Sequence, residues 1–170
     1  GATLNGGAGN DWLGGSTGHG IDHFIGGSGQ DTFYFGFTKN TNTVLPYLDG
    51  SSLLTDYGTD AFGIIDDFSL NDDDQLSFGW NQSQITLTDG AAYDTSYFFG
   101  DKLSNLYGAG VAFSVDHDLV AYIKGMTVDA ANAEILANDI VFGSYANLDQ
   151  KMFFATPDPI AMPTAVPVVI

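Results

Sequence analysis

The chain has no cysteine, so no disulfide can staple its fold. That absence does not imply a cytosolic home, because an exported protein can be held together by bound metal instead. Basic residues are nearly as scarce: four stand against 21 acidic ones, for a formal net charge of -17 and a pI near 4.1. With no basic patch to meet phosphates, nucleic acid and anionic membrane are excluded as natural partners. Long apolar runs are missing too. None approaches the roughly 20 residues that span a bilayer, and no N-terminal stretch reads as a signal peptide. The histidines, His19, His23 and His117, form no H-E-x-x-H pair of a zinc protease. His19 and His23 are expected on exposed turns, and His117 at the tip of a hairpin. Residues 14–18 spell G-x-S-x-G, but inside a glycine repeat and not at the strand-to-helix turn that a nucleophile elbow requires. No carboxylate pair is marked out as acid and base, so no enzyme is expected in these residues.

What is there is apolar and acidic at once. Hydrophobic residues make up 44% and aromatics 14% of 170 residues, enough for one domain with a real core. Repulsion among so many like charges opposes compaction unless cations neutralise part of it. Folding and cation binding are therefore expected to be coupled.

The strongest pattern spans residues 4–35: LNGGAGNDWL, GSTGHGIDHFI and GGSGQDTFYF. Each glycine cluster is closed by an aspartate with an apolar residue two places later: Asp11 then Leu13, Asp22 then Phe24, Asp31 then Phe33. Glycines such as Gly6, Gly7 and Gly9 accept positive φ, so the chain can turn tightly with its carbonyls facing one point. The aspartates add hard carboxylate oxygens, and that mixture is what calcium prefers. Leu13, Phe24 and Phe33 then sit on short strands and fill a narrow core. A flexible linker has no reason to repeat this phasing three times running.

These residues fit the nonapeptide G-G-x-G-x-D-x-U-x, and the chain here resembles the RTX, or hemolysin-type calcium-binding repeat, family, whose repeats build a parallel β-roll. Residues 6–13 and 26–34 match well. The middle copy departs, with Thr17 where the first glycine belongs and a longer gap from Asp11 to Asp22 than from Asp22 to Asp31. The resemblance implies that successive turns fall on opposite edges, with each ion between turns of one edge. The first and third copies would share a calcium, held by Asp11 and Asp31 with backbone oxygens at Gly6, Ala8, Asn10, Gly26, Ser28 and Gln30. Asp22 would serve the middle turn, whose partner must come from an upstream turn or the downstream cap. Gly1-Ala2-Thr3-Leu4 reads like the end of an upstream copy, with Ala2 where the aspartate belongs. There is no initiator Met, and the expectation is the C-terminal piece of a longer or processed chain.

Residues 37–59 read as a polar loop insertion on the surface. DAFGIIDDFSLNDDDQLSF, residues 60–78, alternates as a strand through Phe62 and Ile64 and resembles the segment after the last repeat in many bacterial, notably cyanobacterial, RTX proteins. Ile65-Asp66-Asp67-Phe68 matches its I-x-D-F element, and Asp74-Gln75-Leu76 its D-x-L strand. The resemblance implies Asp67 as the ligand closing the final calcium turn, with Asp66 as a substitute. Asp72-Asp73-Asp74 lacks the glycine and terminal glutamate of an EF-hand and reads as a solvated acidic turn. From Gly79 the pattern predicts antiparallel β: a strand at 85–88, a hairpin of 111–115 with 119–123, a short helix over 128–136 and a last strand at 139–142. Residues 146–170 hold four of the five prolines and are expected to be extended. That tail reads as a secretion signal, an assembly arm or a plain chain end.

The sequence therefore predicts an all-β fold: a short parallel β-roll (1–36), the loop insertion (37–59), an antiparallel β cap with one short helix (60–145) and the tail (146–170). The resemblance implies a non-catalytic calcium-binding module that leaves a bacterium by type I secretion and folds on meeting calcium outside the cell. Its use would be as a structural subunit of an extracellular layer, fibre or matrix at the cell surface. Its partners would be calcium ions and copies of itself, joined through the roll ends or the tail. The alternative is the C-terminal secretion and folding appendage of a larger RTX hydrolase or toxin.

Overall fold

The computed structural model of the chain describes residues 1–14, 20–35, 37–39, 42–44, 61–93, 100–115, 118–142, 146–147 and 153–154. Strand β1 (Thr3–Ala8) lies in a first sheet and β2 (Trp12–Gly14) in a second. Then β3 (Gly20–Ser28) returns to the first, and β4 (Thr32–Phe35) to the second. Within each sheet the pairing is parallel, with Leu4 beside Phe24 and Leu13 beside Phe33.

Later segments extend the same sheets. Strands β5 (Phe37–Lys39) and β6 (Asn42–Val44) form a small antiparallel pair inside the stretch expected to be an irregular loop. Strand β7 (Ala61–Ile65) runs parallel beside β3, and β8 (Gln75–Phe78) beside β4. Strands β9 (Ile85–Asp89), β10 (Gly110–Val115) and β11 (Asp118–Lys124) form an antiparallel ladder, joined to the first sheet by parallel pairing of β11 with β7. Helix α1 (Leu103–Tyr107) precedes β10, and α2 (Val128–Ala137) leads into β12 (Ile140–Phe142), which lies parallel to β8. Two-residue strands β13 (Ala146–Asn147) and β14 (Phe153–Phe154) pair with β5 and β2. The first sheet thus runs β1-β3-β7-β11-β10-β9 and the second β12-β8-β4-β2-β14.

The protein is mostly β, with largely parallel sheets and few helices. The expected antiparallel cap is confined to β9, β10 and β11, because β7, β8 and β12 continue the parallel sheets instead. There are two α-helices and a 3-10 turn (Gln82–Gln84) among the described residues where one short helix was expected. Antiparallel neighbours can be joined by a short turn and so leave a local trace, whereas a parallel partner must come from a distant segment.

Two rows of apolar side chains hold the stack together. In the first sheet Leu4, Phe24, Ile65 and Ile123 stand side by side in register; in the second, Leu13, Phe33, Leu76 and Ile140 do the same. All eight belong to one buried core, and burying each contributes about 1.5–3 kcal/mol. Phe78 joins the layers, stacking on Phe35 at 5.5 Å and on Phe113 at 5.1 Å. Strand β7 is buried on both faces. Ala61 and Ile65 meet this core, while Phe62 and Ile64 meet a second cluster with Leu103, Leu119 and Tyr122. The near-continuous apolar run AFGII is therefore the mark of a central parallel strand, not of one with a single inward face.

Candidate functional site

The turns that follow β1 and β3 lie one beside the other and share a conformation. Gly7 and Gly27 have φ of 98° and 101°, and Gly9 and Gly29 have φ of 118° and 114°. A Cβ on Gly27 would collide with the Gly7 carbonyl oxygen, so only glycine lets the two backbones come this close. Strand pairing runs farther into the glycine clusters than the motif predicts: Gly7 still pairs with Gly27 and Ala8 with Ser28. Beyond them, Gly9 N–H donates to the Ser28 carbonyl at 2.8 Å and Gln30 N–H to Asn10 Oδ1 at 3.1 Å.

The closing aspartates stack in turn. Asp11 N–H donates to Asp31 Oδ1 at 2.9 Å, and the Asp11 carbonyl accepts from Thr32 N–H at 2.8 Å. Both residues are buried, Asp11 at 1% exposure and Asp31 at 0%. Asp31 Oδ2 is buried without a hydrogen-bond donor among the described residues. It lies so near Gly26 that a Cβ there would overlap it. A Cβ on Gly6 would fall 2.7 Å from both Asp11 Oδ2 and the Gly26 carbonyl oxygen, so oxygens of two turns crowd one small space. Burial pushes the Asp31 pKa up to about 6, with the carboxylates of Asp74, Asp11 and Asp67 adding to it and the Asp11 amide opposing.

A third turn joins this edge from farther along the chain. Asp74, expected in a solvated acidic run, is 3% exposed. Its Oδ1 accepts from Asp31 N–H at 2.9 Å and its Oδ2 from Ser69 N–H at 2.8 Å, while Gln75 N–H donates to the Asp31 carbonyl. Burial raises the Asp74 pKa against the pull of those two amides. Only Asp72 and Asp73 of that run are exposed. Asp67 takes Gly26 N–H at 2.8 Å and Gly27 N–H at 2.9 Å, one on each oxygen. Asp66 instead meets Lys124 Nζ at 2.6 Å and His23 Nδ1 at 2.8 Å. Burial would raise its pKa, but those two partners outweigh burial and hold it down. His23, expected on an exposed turn, is thus a partly buried residue of β3.

The structure brings Gly6, Ala8, Asn10, Asp11, Gly26, Ser28, Gln30, Asp31 and Asp67 to one edge. Asp22 sits apart, toward the other end of β3, where its Oδ1 accepts from Ala2 N–H at 2.7 Å. That bond repeats the one between Asp11 and Asp31, with Ala2 standing where an aspartate would. Residues 15–19, with His19 and most of the G-x-S-x-G match, lie outside the described residues, as do 116–117 with His117. Asp74 is the site residue that motif reading missed. Its signal was Leu76, two places on and in register with Phe33.

Among the described residues, no three His, Asp or Glu side chains converge on one point. At this edge Asp11 Oδ2 and the Gly26 carbonyl oxygen face the same small space beside Gly6. Elsewhere an open cleft of about 380 Å³, beside Asn81, Gln82, Ile135 and Phe142, has no titratable side chain in its lining. Among the described residues no helix is long and apolar enough to cross a membrane. No protein-family model matches the chain, and no curated protein and no solved structure is found to match it.

Proposed function

We propose that this chain is a non-catalytic calcium-binding module, a short parallel β-roll of the RTX type whose stacked turns hold the ion. The observation that carries the proposal is Asp31 Oδ2, a carboxylate oxygen that is fully buried with no donor among the described residues. An uncompensated buried charge costs several kcal/mol, and a cation beside it removes that cost. The donors present fit calcium, being oxygens alone, with no thiolate and no imidazole at this edge. Calcium accepts six to eight oxygens in flexible geometry, which suits stacked backbone carbonyls better than the strict octahedron of magnesium.

Asp11 and Asp31 would hold the ion, with backbone oxygens of Gly6, Ala8, Asn10, Gly26, Ser28 and Gln30. Asp22 would do the same on the opposite edge, and Asp67, fixed on the Gly26 and Gly27 amides, closes the third turn. A bound cation reverses the upward push on Asp31 and keeps it ionised. Sites of this kind in extracellular modules need calcium near the millimolar range. The module then stays open in the cytosol of a bacterium and closes after export, where it serves as a structural subunit of an extracellular layer, fibre or matrix.

Circular dichroism with added calcium and then chelator tests the mechanism. The expected outcome is β-structure that appears with calcium and is lost on chelation; an unchanged spectrum with no heat of calcium binding sinks it. Electron microscopy of the calcium-loaded chain tests the use, since ordered polymers are expected and a strictly monomeric species argues against a structural subunit.

A further inference from the structure

We propose that Asp74 is a positioning residue for the calcium edge, fixing Asp31 through the backbone so that Asp31 is aimed only once loop 66–74 has docked. The inference rests on the calcium reading above. Its ground is a ladder of three aspartates, in which each carboxylate carries the amide of the aspartate one turn earlier. Asp11 N–H goes to Asp31 Oδ1, and Asp31 N–H to Asp74 Oδ1, both at 2.9 Å. The ladder ends unevenly. Asp31 has Oδ2 left without a donor, whereas Ser69 N–H occupies the second oxygen of Asp74. Asp74 thus reaches the site through the Asp31 amide, with its second oxygen tied to its own loop at Ser69. The anchor comes from 43 residues away in sequence. Loop 66–74 therefore grips the turn after β3 twice, through Asp67 on the amides of Gly26 and Gly27 and through Asp74 at its close.

A purely structural role predicts something different. Loosening the fold moves the unfolding midpoint, but it leaves the coordination of the folded, ion-bound chain as it was. The test uses the full chain with calcium in titration calorimetry and europium(III) as a luminescent stand-in. Trp12, which follows Asp11 and lies 5.4 Å from Tyr34 between ring centroids, serves as antenna. Europium lifetimes in H2O and D2O count the waters on the ion. Asp74→Ala, which removes the acceptor for the Asp31 amide, is expected to weaken calcium binding by about 10- to 100-fold, as removing a partner of a metal ligand does. It should also add about one water to bound europium, since a hard cation fills a lost oxygen with solvent. Asp72→Asn, an exposed neighbour, removes the same charge and should leave the water count unchanged.

An Asp74→Ala chain with wild-type affinity and water count overturns the inference and leaves the calcium reading standing. If that variant does not fold, Asp74→Glu keeps the charge but displaces the oxygens by one methylene, and wild-type values there overturn it equally. A wild-type chain that binds neither ion overturns the calcium reading itself and this inference with it.

Discussion

Asp31 is fully buried, with no hydrogen-bond donor at Oδ2 among the described residues, and that sets what its replacement should do. Asp31→Asn keeps Oδ1 for the Asp11 amide and removes the charge at Oδ2. Without calcium the variant is expected to be more stable by roughly 1–3 kcal/mol, the usual scale for an unsatisfied buried polar group. Its response to calcium should be lost. Denaturant unfolding with and without calcium checks both halves, and a variant that is destabilised yet still gains from calcium contradicts the assignment. Gly26→Ala tests the same contact from the backbone. The added methyl overlaps Asp31 Oδ2, and overpacking of this kind costs about 1–3 kcal/mol. At this scale Asp11, Asp31 and the glycines between them were legible, because turn chemistry and a fixed spacing mark them. Asp74 was not. It ends an acidic run, Asp72-Asp73-Asp74, whose other members are solvated, so its D-x-L phasing with Leu76 marks a strand without marking a buried carboxylate.

Strands and helices were legible to the extent that their signals are local. The β10–β11 hairpin and helix α2 fall where the pattern places them, and Thr127 caps the helix by accepting Ala130 N–H at 3.1 Å. Thr127→Ala should cost about 1 kcal/mol. The pairing of β12 with β8, and of β11 with β7, was hidden, since each partner lies a whole segment away. Only the shared rows record them, Leu13, Phe33, Leu76 and Ile140 for the first pairing and Leu4, Phe24, Ile65 and Ile123 for the second. Phe33→Ala removes the fully buried ring from the first of these rows and should cost about 3–5 kcal/mol, read as a fall in the denaturant midpoint. The ladder of β9 to β11 carries its own pH limit. Burial, with the Asp89 carboxylate adding to it, pushes the Tyr122 pKa up to about 12, and its hydroxyl donates to the Gly108 carbonyl at 2.7 Å. The folded value exceeds the ordinary 10, so this stabilisation is complete below pH 10 and is lost as pH rises from about 10 to 12. Stability measured across that window should fall less steeply in Tyr122→Phe than in the wild type; equal slopes refute the assignment.

For the whole molecule the governing quantity is charge, and two explanations of any calcium response compete. Among the described residues Asp72, Asp73, Asp89, Asp101 and Asp129 are exposed, where any salt relieves repulsion, whereas Asp11 and Asp31 are buried where salt does not reach. One core spans the repeats and the segments after residue 60, so ordering the edge orders the rest, and both explanations predict cooperative folding. They part at high ionic strength. In about 1 M sodium chloride the Debye length is near 3 Å, and exposed charges no longer see one another. A calcium effect due to surface charge should vanish there. Binding at the stacked turns should survive, adding about 2.7 kcal/mol when calcium is at 100 times its dissociation constant. Magnesium, which dehydrates reluctantly and requires a near-octahedral site, should not replace it. Thermal unfolding in 1 M sodium chloride, with calcium, magnesium or chelator, therefore decides the matter. If sodium chloride alone supplies the whole gain, or magnesium matches calcium, the charge acts only at the surface and the turns at Asp11 and Asp31 are not a calcium site.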